Sequence, residues 1–338
     1  MLKIKKNSVV YVLCPSMVKT GGTELAHQLV YHINKLGGTA QIAYYNDRGE
    51  KLQINEAFKC YTADFVDAAN IKDVSENVIV IPEYCPSFLK KYRYVQKCIW
   101  WMSVDNYLKY NSITFSVKTY GILYDKHRLL SALYNTIFPV KIKSPSVVHF
   151  YQSEYARDFL EKSGVTNVYR LSDYLNEEYL NVDINTERKN VVLFNPKKGF
   201  KFTEKLIEAA PDITWIPLQN MTTEQVKDTL LHSKVYIDFG NHPGKDRFPR
   251  ESAMCGCCVI TGKRGSAKFF EDVAIANEFK FDENRRSINK IIDKIKCCLD
   301  DYSNQSKKFD GYREFIKGEY KVFQEDVKKI FQLEGCSN

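Results

Sequence analysis

Apolar residues come in short blocks separated by stretches with helical spacing, and this alternation predicts the fold class. The run VVYVLC ending at Cys14 is continuous, β-branched and apolar, the pattern of a strand buried on both faces of a parallel sheet. PSMVKTGG follows as a loop. TELAHQLVYHINKLGG then places Leu25, Leu29, Ile33 and Leu36 at helical intervals, with Thr23 as the expected N-cap and Gly37-Gly38 as the stop. TAQIAYY is the next strand, which completes a βαβ unit with a glycine-rich first turn.

Further strands are predicted at NVIVIP (77–82), KCIWWMSV (97–104) and VVHFYQS (147–153). SEYARDFLEKSGV (153–165) reads as a helix, and VYRLSDYL (168–175) as the last element of this half. Residues 106–145 fit either helices laid over the sheet or an insertion. The polar stretch 176–190 reads as a linker. Strand and helix patterns then resume: NVVLFNPKKG, KFTEKLIEAAP, ITWIPL, TTEQVKDTLLHS with a capping-box start, KVYIDFG, RESAMCGC and CVITG. The expected architecture is α/β, with Rossmann-like domains at 1–175 and 191–310, the linker between them, and a cleft between the two domains. The tail, 311–335, spaces Tyr312, Phe315, Ile316, Tyr320, Phe323, Val327, Ile330 and Phe331 as an amphipathic helix. It is expected to pack back on the N-terminal domain, with adsorption to a membrane surface as the alternative.

Composition narrows the picture a little. The 338 residues are 44% hydrophobic and 27% charged, a globular balance. No run approaches the roughly 20 apolar residues of a membrane span, and the N-terminal apolar stretch is too short for a signal peptide, so a cytoplasmic protein is expected, at most touching the membrane's inner face. The net charge of +8 suits phosphorylated small molecules or an anionic membrane surface, but no basic block suggests a nucleic-acid tail, so nucleic acid is not an expected partner. The ten cysteines lack a metal-ligand spacing and sit largely in apolar runs, so buried reduced thiols are expected and no metal site.

Ligands of open parallel sheets bind beyond the carboxyl ends of the strands, and three such loops stand out. Lys19-Thr20-Gly21-Gly22-Thr23-Glu24 offers backbone approach and a helix N-terminus, without GxGxxG or the P-loop pattern. Asn195-Pro196-Lys197-Lys198-Gly199 sets two cations beside a glycine. The third, Asp238 to Glu251, carries Gly244, Lys245, Asp246, Arg247 and Arg250 between a strand and a helix, with Glu251 expected in the first helical turn. Arginine supplies forked donors to phosphate, and a carboxylate such as Glu251 accepts from ribose hydroxyls. For each loop the alternative is an ordinary turn, and for Glu251 a capping carboxylate.

GGTE (21–24), KKG (197–199) and ESAMCGCCVIT (251–261), in this order, resemble the retaining GT-B glycosyltransferases, especially glycosyltransferase family 4. The resemblance implies that Glu251 binds the ribose, Lys198 or Lys197 the donor diphosphate, and the loop Gly244, Lys245 and Asp246 offers backbone N–H groups to the sugar; Gly21 and Gly22 are expected at the donor too, and Arg247 or Arg250 on the diphosphate. Where the family carries a first glutamate eight positions before Glu251, this chain has Pro243, and Asp246 or His242 is read as its catalytic substitute. Asp105, after the WWMSV strand, is the candidate acceptor-side base, and Glu83 a second one of the same kind. The implied donor is a UDP- or GDP-linked sugar with no bound cofactor or metal. The acceptor is a glycan or a lipid-linked glycan, in surface polysaccharide biosynthesis. A sugar-nucleotide epimerase and a non-catalytic sugar- or nucleic-acid-binding protein remain as alternatives on the same fold.

Overall fold

The computed structural model describes residues 2–46, 51–121, 125–137, 139 and 142–333. Within them the chain forms two compact units. The first runs from the N-terminus to Asp173 and regains the chain at Lys321; the second is Tyr174–Tyr320.

The first unit holds seven strands: β1 (Val10–Pro15), β2 (Ala40–Tyr45), β3 (Phe65–Asp67), β4 (Val78–Pro82), β5 (Gln96–Trp101), β6 (Val147–Tyr151) and β7 (Val168–Arg170). All pair in parallel, in the order β3-β2-β1-β4-β5-β6-β7. β1 and β4 are buried almost throughout, as continuous apolar strands must be when helices cover both sheet faces. α1 (Gly21–Lys35) follows β1. Its N-cap is Thr20, not Thr23: the two threonines cap reciprocally, so the helix starts three residues earlier than its apolar spacing suggests. Three short helices, α2 (Val104–Asn111), α3 (Ile113–Tyr120) and α4 (Lys126–Ile137), occupy most of the ambiguous 106–145 stretch. The strand expected at 97–104 ends at Trp101 because Ser103 caps α2. Trp101 is anchored by donating from Nε1 to His149 Nδ1 at 2.9 Å. The other ring nitrogen of His149 then carries the proton, toward Ile142 O at 2.8 Å, and burial lowers this histidine's pKa to about 4. α5 (Glu154–Lys162) leads into β7.

The second unit has α6 (Glu177–Leu180), β8 (Lys189–Phe194), α7 (Phe200–Ala209), β9 (Thr214–Pro217), α8 (Thr223–Leu231), β10 (Ser233–Asp238), α9 (Arg247–Met254), β11 (Cys258–Gly262), β12 (Lys280–Phe281), α10 (Ile288–Asp300) and α11 (Tyr302–Lys307). Its parallel sheet runs β12-β11-β10-β8-β9. The expected linker, 176–190, is part of this unit: Tyr179 is buried in its core, and β8 begins at Lys189. A polar composition hid one buried aromatic. Nine cysteines are unbridged, and Cys336 lies outside the described residues.

The last helix, α12 (Asp310–Phe331), serves both cores in turn; residues 334–335 of the tail expected as helical lie outside the described residues. Tyr312 and Ile316 pack in the second unit. In the first, the Phe323 ring lies 5.3 Å from His32, the Phe331 ring lies 6.0 Å from Phe150, and Asp326 takes two hydrogen bonds from Arg170 at 2.9 and 3.0 Å. Most of the apolar face of the tail is therefore buried in its own protein, with Phe315 exposed. Among the described residues no helix is long and apolar enough to cross a membrane.

Phe323 is 0% exposed, so Phe323→Ala should cost roughly 3–4 kcal/mol. Phe315→Ala, at a site 41% exposed on the same helix, should cost less than about 1 kcal/mol. Urea unfolding followed by tryptophan fluorescence measures both; equal costs would contradict this docking.

Candidate functional site

Both sheets reverse their winding next to their first strand. In the second sheet the reversal falls between β8 and β10, and ligands of such sheets bind beyond the carboxyl ends at that point. The loops leaving β8 and β10 meet there at backbone level. Gly199 has φ +62, and a Cβ on it would collide with the carbonyl of Phe239. Gly240 has φ +100, and a Cβ there would lie 2.6 Å from Gly199 N. Only glycine allows both the left-handed backbone and this approach. Gly265, after β11, presses in the same way on His242 O, which also accepts from Ser266 N at 2.9 Å. Glu283, after β12, accepts from Gly240 N at 2.8 Å. Four loops thus hold one another at one edge.

Charge fills the space beneath them. Lys198 Nζ lies 2.9 Å from Asp238 Oδ1 and contacts Asp246 Oδ2. His242, fully buried, has Nδ1 3.0 Å from Asp246 Oδ2 and Nε2 3.3 Å from Asp238 O. Burial alone would lower the pKa of the Lys198 ammonium, but the Asp238 and Asp246 carboxylates outweigh it and raise the pKa. Burial would likewise raise Asp246, yet Lys198 and His242 hold its carboxyl down at about 2. Asp238, His242 and Asp246 each offer one ligand atom within 4.8 Å of the others, a spacing a divalent cation accepts. The Lys198 ammonium already stands against both carboxylates and would repel a second cation there.

A second buried cluster lies on α12. Glu319 Oε2 accepts from Arg250 Nη1 at 2.8 Å, and Glu319 Oε1 lies 2.7 Å from Lys245 Nζ as an ion pair without hydrogen-bond alignment. Arg250 Nη2 donates to Lys245 O at 3.1 Å, and Nε to Asp246 O at 3.3 Å. Arg250 is 0% exposed and Lys245 8%.

Arg250, expected on the diphosphate, and Lys245, expected in the donor-binding loop, are both paired with Glu319. His242 and Asp246, the candidate catalytic residues, lie beside Lys198, with the Asp246 carboxylate in contact with both the lysine and the histidine. Lys198, expected as a donor ligand, lies between Asp238 and Asp246. Glu251 is not in the first turn of α9, which begins at Arg247; it lies one turn further on, so it does not act as the capping carboxylate. Its charge acts on Tyr179, whose hydroxyl is pushed up by burial first and by Glu251 next. Gly244 is buried, its carbonyl accepting from Ser266 Oγ at 2.5 Å. Lys197 is exposed on the β8 turn and Arg247 is half-buried at the start of α9.

In the first unit the winding reverses between β1 and β4. Gly21 and Gly22 open α1 there, and a Cβ on Gly22 would meet the Met102 sulfur at 3.6 Å, ordinary contact. Glu83, just beyond β4, is 1% exposed and accepts from Met102 N at 3.1 Å; burial pushes its carboxyl up to about 8. It braces the end of β5 and is not presented as a base. Asp105 is 6% exposed and accepts from the Tyr155 hydroxyl at 3.1 Å in the first turn of α2. A carboxylate in the first turn of a helix is favourable there.

No known protein family and no curated protein sequence matches the chain significantly. Solved structures do match its fold. A sucrose-phosphate synthase from Thermosynechococcus elongatus aligns with a TM-score of 0.63 at 12% identity, over 96% of this chain and 98% of that one. Anabaena HepE in complex with UDP-glucose aligns at 0.61 and 10% identity, over 96% and 100%. T4 phage BGT with its UDP-glucose substrate aligns at 0.52 and 12% identity, over 96% and 100%. The chain has the GT-B fold of these glycosyltransferases.

Gly199→Ala should cost about 3 kcal/mol or more, since strain and collision add. Urea unfolding tests this, and a cost within 1 kcal/mol of zero would refute the backbone contact. Lys198→Met leaves two inward carboxylates unbalanced and should cost roughly 3 kcal/mol at neutral pH. Asp246 has a lowered folded pKa, so its stabilisation is complete above the ordinary aspartate range and fades as pH falls from about 4 to about 2. The gap between the wild type and Lys198→Met should therefore narrow over that window. A gap independent of pH would contradict the pairing.

Proposed function

We propose that this chain transfers a sugar from a nucleotide-diphosphate sugar, UDP-linked in the first instance, to a glycan or lipid-linked acceptor in surface polysaccharide assembly. Configuration is retained and no metal is needed. The observation that carries the reading is the glycine-packed edge between β8 and β10, where backbone N–H groups at the start of α7 and the exposed Lys197 stand together. Two solved structures of the same fold hold UDP-glucose, which favours UDP over GDP. The GGTE, KKG and ESAMCGCCVIT segments support the same assignment.

Breaking the bond between sugar and diphosphate leaves negative charge on the nucleotide. Fixed donors that meet that charge lower the barrier. In this reading Lys197 and Arg247 supply the cations, α7 supplies its first amides, and Glu251 accepts from the ribose hydroxyls. Lys198, Lys245 and Arg250 act one step back: they set the loops in place and do not touch the donor. Gly21 and Gly22, at the start of α1, are further donor contacts in this reading.

Thermal-shift titration with UDP, GDP, CMP and ADP tests the reading. UDP should raise the melting temperature. Lys197→Ala and Arg247→Ala should each weaken UDP about tenfold, and Glu251→Gln should weaken UDP more than inorganic diphosphate. No shift with any nucleotide would remove the proposal.

A further inference from the structure

α4 is built inside out. Lys126, Leu130, Leu133, Tyr134 and Ile137 fall at i, i+4, i+7, i+8 and i+11, one face of the helix. That face is turned to solvent: Leu130 is 62% exposed, Leu133 44%, Tyr134 56% and Ile137 59%. Of its polar residues Arg128 is turned inward beside Ala132 and Asn135 is half-buried, while Lys126, His127 and Thr136 stay exposed. Arg128 is 1% exposed and donates to Gly121 O at 3.1 Å. Asn135 donates to Tyr110 O at 3.0 Å, and the Thr136 hydroxyl accepts from Ile113 N at 3.2 Å, fastening α4 to α2 and α3. An amphipathic helix normally does the reverse, so the outer face of α4 is shaped for something other than water.

Charge says what. Residues 86–146 contain ten Lys and Arg (90, 91, 93, 97, 109, 118, 126, 128, 141, 143) and two Asp (105, 125), a net of 10 − 2 = +8. The whole chain is 49 − 41 = +8, so everything outside this segment sums to zero. Lys90, Lys91, Lys118 and Lys126 are exposed, and the Lys90 ammonium lies 5.8 Å from the Tyr134 ring, at the margin of the apolar stripe.

We propose that the outer face of α4, with the lysines around it, docks on an anionic lipid bilayer. Leu130, Leu133 and Ile137 enter the interface, Tyr134 sits at headgroup level, and the lysines meet the lipid phosphates. A bilayer takes both features at once. A second copy meeting the same patch about a two-fold axis would bring two +8 segments together. A nucleic acid would match the cations but leave three aliphatic side chains without an apolar partner. Each cation near an anionic surface strengthens binding roughly five-fold, so a cluster of this size and a short stripe together suffice for reversible attachment. This docking needs neither donor nor acceptor, so it stands or falls independently of the sugar-transfer reading.

Co-sedimentation of the full chain with vesicles tests it, using phosphatidylcholine alone and phosphatidylcholine with about a third phosphatidylglycerol. The wild type should bind the anionic vesicles at least about tenfold more tightly than the neutral ones, and the binding should weaken as salt rises. Leu130→Ser with Ile137→Ser, and separately Lys90→Gln with Lys91→Gln and Lys126→Gln, should each cut binding about tenfold or more while leaving the melting temperature and UDP response unchanged. The proposal is overturned by equal binding to both vesicles, by no binding, or by an unaffected Leu130/Ile137 variant. Sedimentation velocity showing a dimer that the same variant dissolves, without vesicle binding, would make the stripe a contact between copies. A duplex DNA that binds the wild type and the Leu130/Ile137 variant alike, again without vesicle binding, would make the patch a general polyanion site.

Discussion

One ammonium group holds the second unit's working edge together. Lys198 reaches from the turn after β8 to Asp238 at the end of β10 and to Asp246 at the start of α9. Without that charge the two carboxylates would repel each other and the loop between them would have no reason to fold inward. With it, the loop closes, His242 fills the space between the carboxylates, and the backbone can approach so closely that only Gly199 and Gly240 fit. The close approach and the charge cluster depend on each other: moving either loop outward to admit a Cβ would lengthen the ion pair.

Glu319 extends the same logic to the end of the chain. It sits on α12, yet it neutralises Lys245 and Arg250 of the β10 loop. An arginine with both ends committed, to Glu319 and to the carbonyls of Lys245 and Asp246, fixes the conformation of the segment it belongs to. The basic residues closest to the proposed site are therefore mostly structural. Lys197 is exposed and Arg247 half-buried at the N-termini of α7 and α9.

Much of the fold was legible in the sequence because it rests on local patterns. The unbroken apolar strands, the glycine stops and the capping threonines each act within a few residues, so β1, α1, β2 and most of the second sheet could be read directly. The short strands at 65–67 and 280–281 were missed, being too brief and, at Phe65, too exposed to show a pattern. The site was legible as a set of loops but not as a set of roles. Whether Arg250 faces a ligand or the interior depends on Glu319, 69 residues away, and Gly240 is held by Glu283, 43 residues away. Nothing in a loop's own composition reports a partner at that distance. The placement of Glu251 failed for a related reason. Asp246 precedes the helix as expected of a cap, but its carboxylate is taken by Lys198 and His242 and makes no capping bond.

Net charge carries the last part of the argument, once it is assigned to places. The second unit, Tyr174–Tyr320, contains 24 Lys and Arg and 23 Asp and Glu, a balance of +1. The phosphate site proposed there would rest on the placement of a few cations, not on a basic surface. The +8 of the whole chain resides between residues 86 and 146, in the other unit, beside a helix whose apolar face looks outward. The two halves thus use cations in different ways. In one they are buried and paired, which orders loops and costs the loss of hydration. In the other, Lys90, Lys91, Lys118 and Lys126 stay hydrated at the surface while Arg128 is buried, and the attraction of exposed cations reaches over about a Debye length. A composition summary merges these two uses into one number, and only their positions along the chain separate them.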